Sequence, residues 1–311
     1  MEDNDIYNFT LEVDKEERID KILANYFLEY SRSTIQKWIA SNNVKINGKT
    51  CTQKDKIKNN CDVSILISSA PEINLIGENL NIDIIDETDD YIVVNKPSGM
   101  VTHIAPGNYS GTLQNGLYYH YPELANVPRT GIIHRLDKDT SGILLISRNL
   151  SAHNYLNKQL QEHKFKKIYH AVVSGQLRQS IKVEKPIGRH PVNRKKMSVS
   201  SKGKMAISMI KPLKIYESAS YIEIQIITGR THQIRVHMSD LNNPIIGDKM
   251  YGYKKNTLSK MPKLFDCIQS SFGQYLHAYS LSFSDPKSHN IKEYKAKYPK
   301  EFQLLLDTMS I

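Results

Sequence analysis

The chain has 311 residues, with 42 Lys and Arg against 32 Asp and Glu and a formal net charge of +10. This length is enough for two domains with full hydrophobic cores. Its three cysteines, Cys51, Cys61 and Cys267, are too few and too scattered for a disulfide framework or a four-cysteine zinc site. Residues 1–20 are acidic and lack the apolar segment of a signal peptide, and no stretch is apolar enough to span a membrane. We therefore expect a cytoplasmic protein without membrane contact.

The positive charge is concentrated in one segment. Residues 182–214 contain ten Lys and Arg and a single acidic residue, Glu184. A cluster of this density is typical of a surface that binds nucleic acid, although a solvated loop with extra lysines would show the same composition.

The first part of the chain predicts two helices, at 18–28 and 32–41, because apolar residues recur there at helical spacing. Ser31 can cap the second helix, and Asn42 can adopt the left-handed conformation that ends it. The second helix leaves polar side chains for solvent or a ligand, among them Arg32, Gln36 and Lys37.

Strand signals complete this first domain, which we place at 1–68. Residues 1–14 form an acidic arm or a first strand, Asn47-Gly48 is a strong hairpin turn, and 62–67 is a short strand. The segment 69–80 mixes Pro, Gly and polar residues, which predicts a linker.

From residue 81 to 311 the pattern indicates a second domain of α+β class with a mixed sheet, because strands and helices alternate without a regular βαβ repeat. The clearest strand signals lie at 81–96, 142–147, 169–174 and 221–227, and the clearest helical stretches near 112–120, 151–163, 231–241 and 298–309.

Two polar runs could carry chemistry. The run at 131–148 reads GIIHRLDKDTSGILLISR, a polar loop directly before a buried-looking strand, although a charged turn with internal salt bridges is the simpler interpretation. The run at 228–240 reads TGRTHQIRVHMSD, in which Thr231 can cap a helix whose first turns carry Arg235. The chain has no glycine-rich nucleotide-binding motif and no convincing metal-ligand spacing, so we expect neither a cofactor nor a metal.

These runs resemble the RluA-type pseudouridine synthases. The resemblance covers 81–311 and is carried by VVNKPSGMVTH, HRLDKDTSG, KKIYHAVVSG, RHPVNRKKMSV, TGRTHQIRVHM, PIIGDKMYG and YLHA, with Gly273 standing where an arginine often precedes the last element. Residues 18–66 resemble the S4 RNA-binding domain through RIDKIL, SRSTIQKWI and VKINGK.

The resemblance implies a role for individual residues. Asp137 matches the catalytic aspartate, Tyr169 the active-site tyrosine, Arg235 the arginine that pairs with the aspartate, and Arg135 the arginine that enters the RNA stack when the target base leaves. The basic run would hold phosphates through Arg189, Arg194, Lys195, Lys196, Lys202 and Lys204, and the S4-like domain would bind RNA through Arg32, Gln36, Lys37, Lys45 and Lys49. Simpler readings remain open: a structural salt bridge for Arg235 or Arg135, a core tyrosine for Tyr169, and ordinary charged surfaces for the rest.

The implied reaction breaks the N1–C1′ bond of a uridine, turns the uracil and rejoins it through C5, without a cofactor. An ionised carboxylate would either attack C1′ or remove a C2′ proton, and the base must first leave its stack. The resemblance implies that the enzyme acts on large-subunit ribosomal RNA, at the helix 69 stem-loop. We expect a monomer, although the sequence leaves the oligomeric state open. A related enzyme with other ribosomal RNA sites, and a non-catalytic S4-bearing assembly protein, are the alternatives.

Overall fold

The computed structural model describes residues 5–13, 15–27, 32–67, 75–105, 107–252, 268 and 273–310. The chain divides into two compact units, Met1–Asn74 and Leu75–Ile311. The predicted linker at 69–80 spans this division and stays a prediction, because residues 69–74 lie outside the described residues. The predicted capping residue Ser31 also lies outside them. Among the helices that the structure describes, none is long and apolar enough to cross a membrane.

The first unit packs two helices against a small antiparallel sheet. Its elements are β1 (Asp5–Leu11), β2 (Glu17–Arg18), α1 (Ile19–Tyr26), α2 (Arg32–Ala40), β3 (Val44–Ile46), β4 (Lys49–Thr50), β5 (Lys56–Ile57) and β6 (Cys61–Ile67). The sheet has the order β1-β6-β3-β4, and β2 pairs with β5. The apolar stripe of each helix is buried against it, with Leu23 and Ile35 fully inaccessible to solvent.

Two predicted turns of this unit are confirmed. Asn42 follows the end of α2 with a φ of 59°. It therefore adopts the left-handed backbone conformation predicted to end this helix, a conformation that glycine most often supplies. Asn47 and Gly48 connect β3 to β4 with φ values of 49° and 79°, as a two-residue hairpin with a primed turn requires.

The second unit is built on one large mixed sheet. Its strands are β7 (Asp83–Glu87), β8 (Tyr91–Lys96), β9 (Ser141–Ser147), β10 (Lys166–Ser174), β11 (Ile181–Arg189), β12 (Met197–Val199), β13 (Lys204–Ile215), β14 (Ala219–Ile226), β15 (Leu276–Ser284) and β16 (Ile291–Lys295). Its helices are α3 (Leu113–His120), α4 (Leu150–Gln161), α5 (Gln233–Asp240) and α6 (Lys300–Ser310), with 3₁₀ helices at Pro122–Asn126 and Pro128–Gly131.

The strand order is β12-β11-β13-β14-β10-β15-β9-β8-β7, and β16 pairs with β15. Neighbouring strands are antiparallel except β15 and β9, which are parallel. The predicted α+β class with a mixed sheet is therefore confirmed. The strands β11, β12 and β13, which hold the basic run, were not predicted, because their lysines and arginines interrupt the apolar alternation.

Strand β9, in the interior of the sheet, is buried along its whole length and supports a core on each face of the sheet. Leu144 and Ile146 belong to the core that also contains Tyr169 and Ile234, whereas Ile143 and Leu145 belong to the core beneath α4. The loop before β9, the middle of β10 and the start of α5 therefore all meet on the first of these faces.

We expect Gly142 to be essential where β9 meets β15. Its φ is +111°, and a Cβ atom there would lie 2.2 Å from the carbonyl oxygen of Ala278. Gly142→Ala should combine backbone strain with overpacking and lower the free energy of unfolding by about 3 kcal/mol, measured by urea denaturation. Gly111→Ala is the matched control, since its φ is +65° but nothing lies within 4 Å of the added atom. Equal losses in the two variants would contradict the close-packing argument.

Candidate active site

Asp137 lies in the loop 133–140, and side chains from the end of β8 and the turn after it hold the backbone of this loop. Three main-chain carbonyl oxygens of the loop accept hydrogen bonds from that segment. The bonds run from Thr102 Oγ1 to Leu136 at 2.9 Å, from Lys96 Nζ to Lys138 at 3.0 Å, and from Ser98 Oγ to Asp139 at 2.9 Å. The backbone on both sides of Asp137 is thus fixed by a segment that lies about forty residues earlier in the sequence.

Lys96 is the innermost of these supports, with only 1% of its surface exposed. Its ammonium also donates to the carbonyl oxygens of Pro97 at 2.8 Å and Met100 at 2.9 Å. Burial lowers the pKa of Lys96 to about 7, although Asp139 and Asp137 act in the opposite direction. Its three donors all bind carbonyl oxygens, so this lysine ties the loop to β8 and leaves Asp137 free for other partners.

Arg235, in the first turn of α5, pairs with Asp137. Its Nη1 lies 3.1 Å from Asp137 Oδ2, and only 8% of the arginine side chain is exposed. A second carboxylate, Asp248, binds the other edge of the guanidinium, at 2.7 Å from Nε and 3.0 Å from Nη2. Burial opposes the charge of Arg235, but the hydrogen bonds and the attraction of these two carboxylates outweigh it and raise the pKa of the arginine.

Asp248 was not predicted as a site residue, although it lies in the PIIGDKMYG element. It is buried, and its Oδ1 also accepts the backbone N–H groups of Met250 at 3.1 Å and Tyr251 at 3.2 Å. The preceding Gly247 has a φ of +83°, and a Cβ there would lie 2.1 Å from the carbonyl oxygen of Gly273. Gly273 itself has a φ of +100°, and a Cβ there would lie 2.5 Å from the Cβ of Asp139. This chain therefore has no room for a side chain at the position where the family often has an arginine.

His232 lies near the same carboxylate oxygen of Asp137 as Arg235. Its Nε2 is 3.8 Å from Asp137 Oδ2, and its Nδ1 makes a 2.7 Å hydrogen bond with the hydroxyl of Tyr251. The ring of Tyr251 in turn lies 4.8 Å from the guanidinium of Arg235. Burial lowers the pKa of His232 although Asp137 acts to raise it, which favours the neutral imidazole.

The start of α5 differs from the sequence prediction. Thr231 was expected to cap the helix, but the residue at the N-cap is His232, which has a φ of 55° and makes no side-chain capping bond. Gln233 accepts the backbone N–H of Arg230 instead, at 3.0 Å. The capping prediction is therefore wrong, and the left-handed backbone at His232 is what turns its ring toward Asp137.

Asp137, His232 and Arg235 line a cavity of about 560 Å³, a size that accommodates a nucleotide. Tyr169, on β10, forms part of its wall with 8% of its surface exposed. Burial, followed by the nearby charge of Asp137, raises the pKa of Tyr169, so the phenol stays protonated. Arg135 also lines the cavity but is exposed, as a residue that reaches into RNA would be. The structure thus brings Asp137, Tyr169, Arg235 and Arg135 to one cavity.

Comparison with known proteins identifies this arrangement. The sequence matches the family described as RNA pseudouridylate synthase over residues 90–240, and the S4 domain over residues 17–63. It is 42% identical over 297 residues to a protein of Neisseria meningitidis serogroup B named ribosomal large subunit pseudouridine synthase D, covering 94% of this chain and 79% of that one. The protein of that name from Haemophilus influenzae is 36% identical over 295 residues, which cover 94% and 91% of the two chains. The chain belongs to the RNA pseudouridylate synthase family.

The fold agrees with this membership. A solved structure of human RNA pseudouridylate synthase domain containing 1 aligns with a TM-score of 0.56 at 26% identity, covering 72% of this chain and 86% of that one. The protein is therefore an isomerase with an S4 domain at its amino-terminal side. Within the described residues, no group of three or more His, Cys, Asp or Glu side chains could hold a metal ion.

The basic run lies on β11, β12, β13 and their connections, at one edge of the synthase sheet. Lys196 is half-buried, and the other predicted phosphate-binding side chains are exposed, namely Arg189, Arg194, Lys195, Lys202 and Lys204. None of the six pairs with a carboxylate in the part of the chain that the structure describes, whereas Lys182 pairs with Glu184 at 2.7 Å. The six charges are thus available to a polyanion.

In the S4 unit, Arg32 is exposed, with 43% of its side chain accessible, and Gln36 is half-buried, so their binding of RNA stays a prediction. Both donate to the fully buried carboxylate of Asp20, Arg32 from Nε at 3.1 Å and Nη2 at 2.8 Å, and Gln36 from Nε2 at 2.6 Å. Arg18 binds the same carboxylate at 3.0 Å. Asp20 therefore holds two arginines and an amide in place. The remaining predicted side chains are exposed: Lys37, Lys45 and Lys49.

We expect Asp248 to control the position of Arg235. Asp248→Asn removes a buried, bidentate partner and should lower the free energy of unfolding by about 3 kcal/mol. The rate of pseudouridine formation at saturating RNA should fall at least about tenfold, because Asp137 loses a fixed neighbour. The matched control is Asp240→Asn, since Asp240 lies at the other end of α5 and forms a surface pair with Lys185 at 2.6 Å. Full activity and stability in the Asp248 variant would contradict this role.

Proposed function

We propose that this protein converts specific uridines of large-subunit ribosomal RNA to pseudouridine, with Asp137 as the catalytic carboxylate. We assign this role to Asp137 because 19% of its side chain is exposed and lines the cavity, and because the Arg235 guanidinium lies 3.1 Å from its carboxylate. Attack on C1′ and removal of a C2′ proton both require an ionised carboxylate, and the Arg235 guanidinium supplies a positive charge that pairs with it and fixes its orientation.

The other cavity residues have complementary roles in this proposal. The buried phenol of Tyr169 offers an aromatic face to the flipped uracil, and stacking of this kind contributes about 1–3 kcal/mol. The exposed Arg135 fills the space that the base leaves in the RNA. Arg235 binds Oδ2 of the carboxylate and the neutral His232 lies 3.8 Å from the same oxygen, so that Oδ1 is the oxygen left to face the substrate.

The RNA class follows from the relatives. The similar proteins from Neisseria and Haemophilus are named for the large ribosomal subunit, and their similarity extends over both units of this chain. We propose the helix 69 stem-loop as the target, as the resemblance implies, and a monomer as the active form, since the residues named for the cavity all come from Leu75–Ile311 of one chain.

Asp137→Asn should abolish pseudouridine formation while RNA affinity stays within a few-fold, because the change removes a charge but keeps the shape of the side chain. The measurement is chemical mapping of pseudouridine in unmodified large-subunit RNA, together with a filter-binding titration. Asp139→Asn is the control from the same loop and should remain active, since its side chain is not among those lining the cavity. Normal turnover by the Asp137 variant would show that this residue has no role in the reaction. Pseudouridine made by the wild-type enzyme only at sites outside helix 69 would refute helix 69 as the target.

RNA affinity should depend steeply on salt, because phosphate contacts release counterions. Lys195→Ala should weaken binding of all RNA sequences similarly and reduce the slope of log K against log[salt] by about one. Lys182→Ala is the comparison, since Lys182 is already paired with Glu184 and should change the slope much less. Identical slopes for the wild type and the Lys195 variant would argue against a phosphate contact there.

A further inference from the structure

The cavity contains a buried lysine that the roles above do not use. Lys167 lies on β10 two residues before Tyr169, and both side chains line the cavity. Only 7% of Lys167 is exposed, yet its ammonium makes no hydrogen bond or ion pair with any residue that the structure describes. Gly229 is a close neighbour of the ammonium, since a Cβ on that glycine would be in van der Waals contact with Nζ, at 3.7 Å.

The surroundings of Lys167 do not compensate its charge. Burial alone lowers its pKa to about 8, with no carboxylate acting in the opposite direction. The carboxylate of Asp137 is paired with Arg235. The titratable neighbour affected by Lys167 is another base, His134, whose pKa is lowered by burial and then by the charge of Lys167. Lys96 shows the contrast, because it is equally buried but donates to three carbonyl oxygens. A largely buried cation without a protein partner is costly, and the tip of this one is accessible from the cavity, which indicates that its partner belongs to the substrate.

We propose that Lys167 is a further catalytic residue, whose ammonium donates a hydrogen bond to a ring carbonyl oxygen of the target uracil and stabilises the negative charge on the detached ring. When the N1–C1′ bond breaks, the electron pair stays on N1 and its charge spreads to O2 and O4. Lys167 keeps its proton throughout. When C5 bonds to C1′, the C5 hydrogen leaves as a proton and N1 gains one, so the ring becomes neutral again. This inference rests on the proposed function of the cavity.

The depth of Lys167 favours the base over a phosphate as its partner. Arg135 and Arg129 also line the cavity but are exposed, so they are accessible to the RNA backbone at its mouth. A flipped base enters a pocket ahead of its own phosphate and reaches the buried groups. Hydrogen-bond donors fixed where charge develops are worth most in such a water-poor site.

The test compares Lys167→Met with Lys166→Met, since Lys166 is the adjacent, exposed lysine on the same strand and does not line the cavity. In single turnovers at saturating RNA, the Lys167 variant should consume uridine about 100-fold more slowly than the wild type, with RNA affinity within about twofold. The Lys166 variant should match the wild type. With 5-fluorouridine in the target position the loss should be clearly smaller, because fluorine itself stabilises the departing ring anion.

Three results would overturn the proposal: an unchanged single-turnover rate, an equal loss with uridine and 5-fluorouridine, or a loss of affinity with a lower salt slope, which would assign Lys167 to a phosphate. Misfolding is tested separately by urea denaturation, where Lys167→Met should be at least as stable as the wild type, since it removes an uncompensated buried charge. Should it be less stable, Lys167→Gln provides the same kinetic comparison. An active Asp137→Asn enzyme would refute the proposed site as a whole, whereas an active Lys167 variant beside an inactive Asp137→Asn would refute this inference alone.

Discussion

The guanidinium of Arg235 lies between two carboxylates, and the chemistry assigned to Asp137 depends on that geometry. Asp248 occupies two of the three guanidinium nitrogens, so the plane of the group is fixed before Asp137 meets the third. An ammonium could neutralise one carboxylate here but could not hold both in a defined plane. The contact with Asp137 is therefore made by an arginine that Asp248 already holds rigidly. For this reason Arg235 can form a structural salt bridge with Asp248 and also orient the proposed catalytic carboxylate.

A second restraint acts on the backbone of the same loop. The side chain of Asp137 is held by α5, nearly one hundred residues later in the sequence, while the carbonyl groups around it are held by the end of β8 and the turn that follows it. Two restraints from distant segments leave the carboxylate little freedom to relax when a substrate binds. Preorganisation of this kind lowers the reorganisation needed as charge develops in the reaction.

The sequence predicted what depends on local pattern. The apolar period located α1, α2 and α4, the Asn47-Gly48 pair located a hairpin, and the family resemblance selected Asp137 and Arg235. It did not reveal Asp248, because a carboxylate among lysines and glycines carries no signal until the fold places it against Arg235. Arg32 and Gln36 were predicted to be left for solvent or a ligand, and the sequence did not reveal their shared partner Asp20, because it lies on the preceding helix. His232 was overlooked because nothing in the local pattern indicates its left-handed backbone.

Three buried cations of the synthase unit show how partners distinguish roles that the sequence leaves equivalent. Lys96 donates to carbonyl oxygens and supports a loop, and Arg235 binds carboxylates and orients one of them. Lys167, with neither kind of partner among the described residues, faces the cavity instead. Because burying a charge is costly, a fold that keeps this lysine must recover the cost elsewhere. A uracil ring that becomes anionic only during the reaction would do so selectively, since it would bind the ammonium more strongly in the transition state than in the ground state, which is the condition for catalysis.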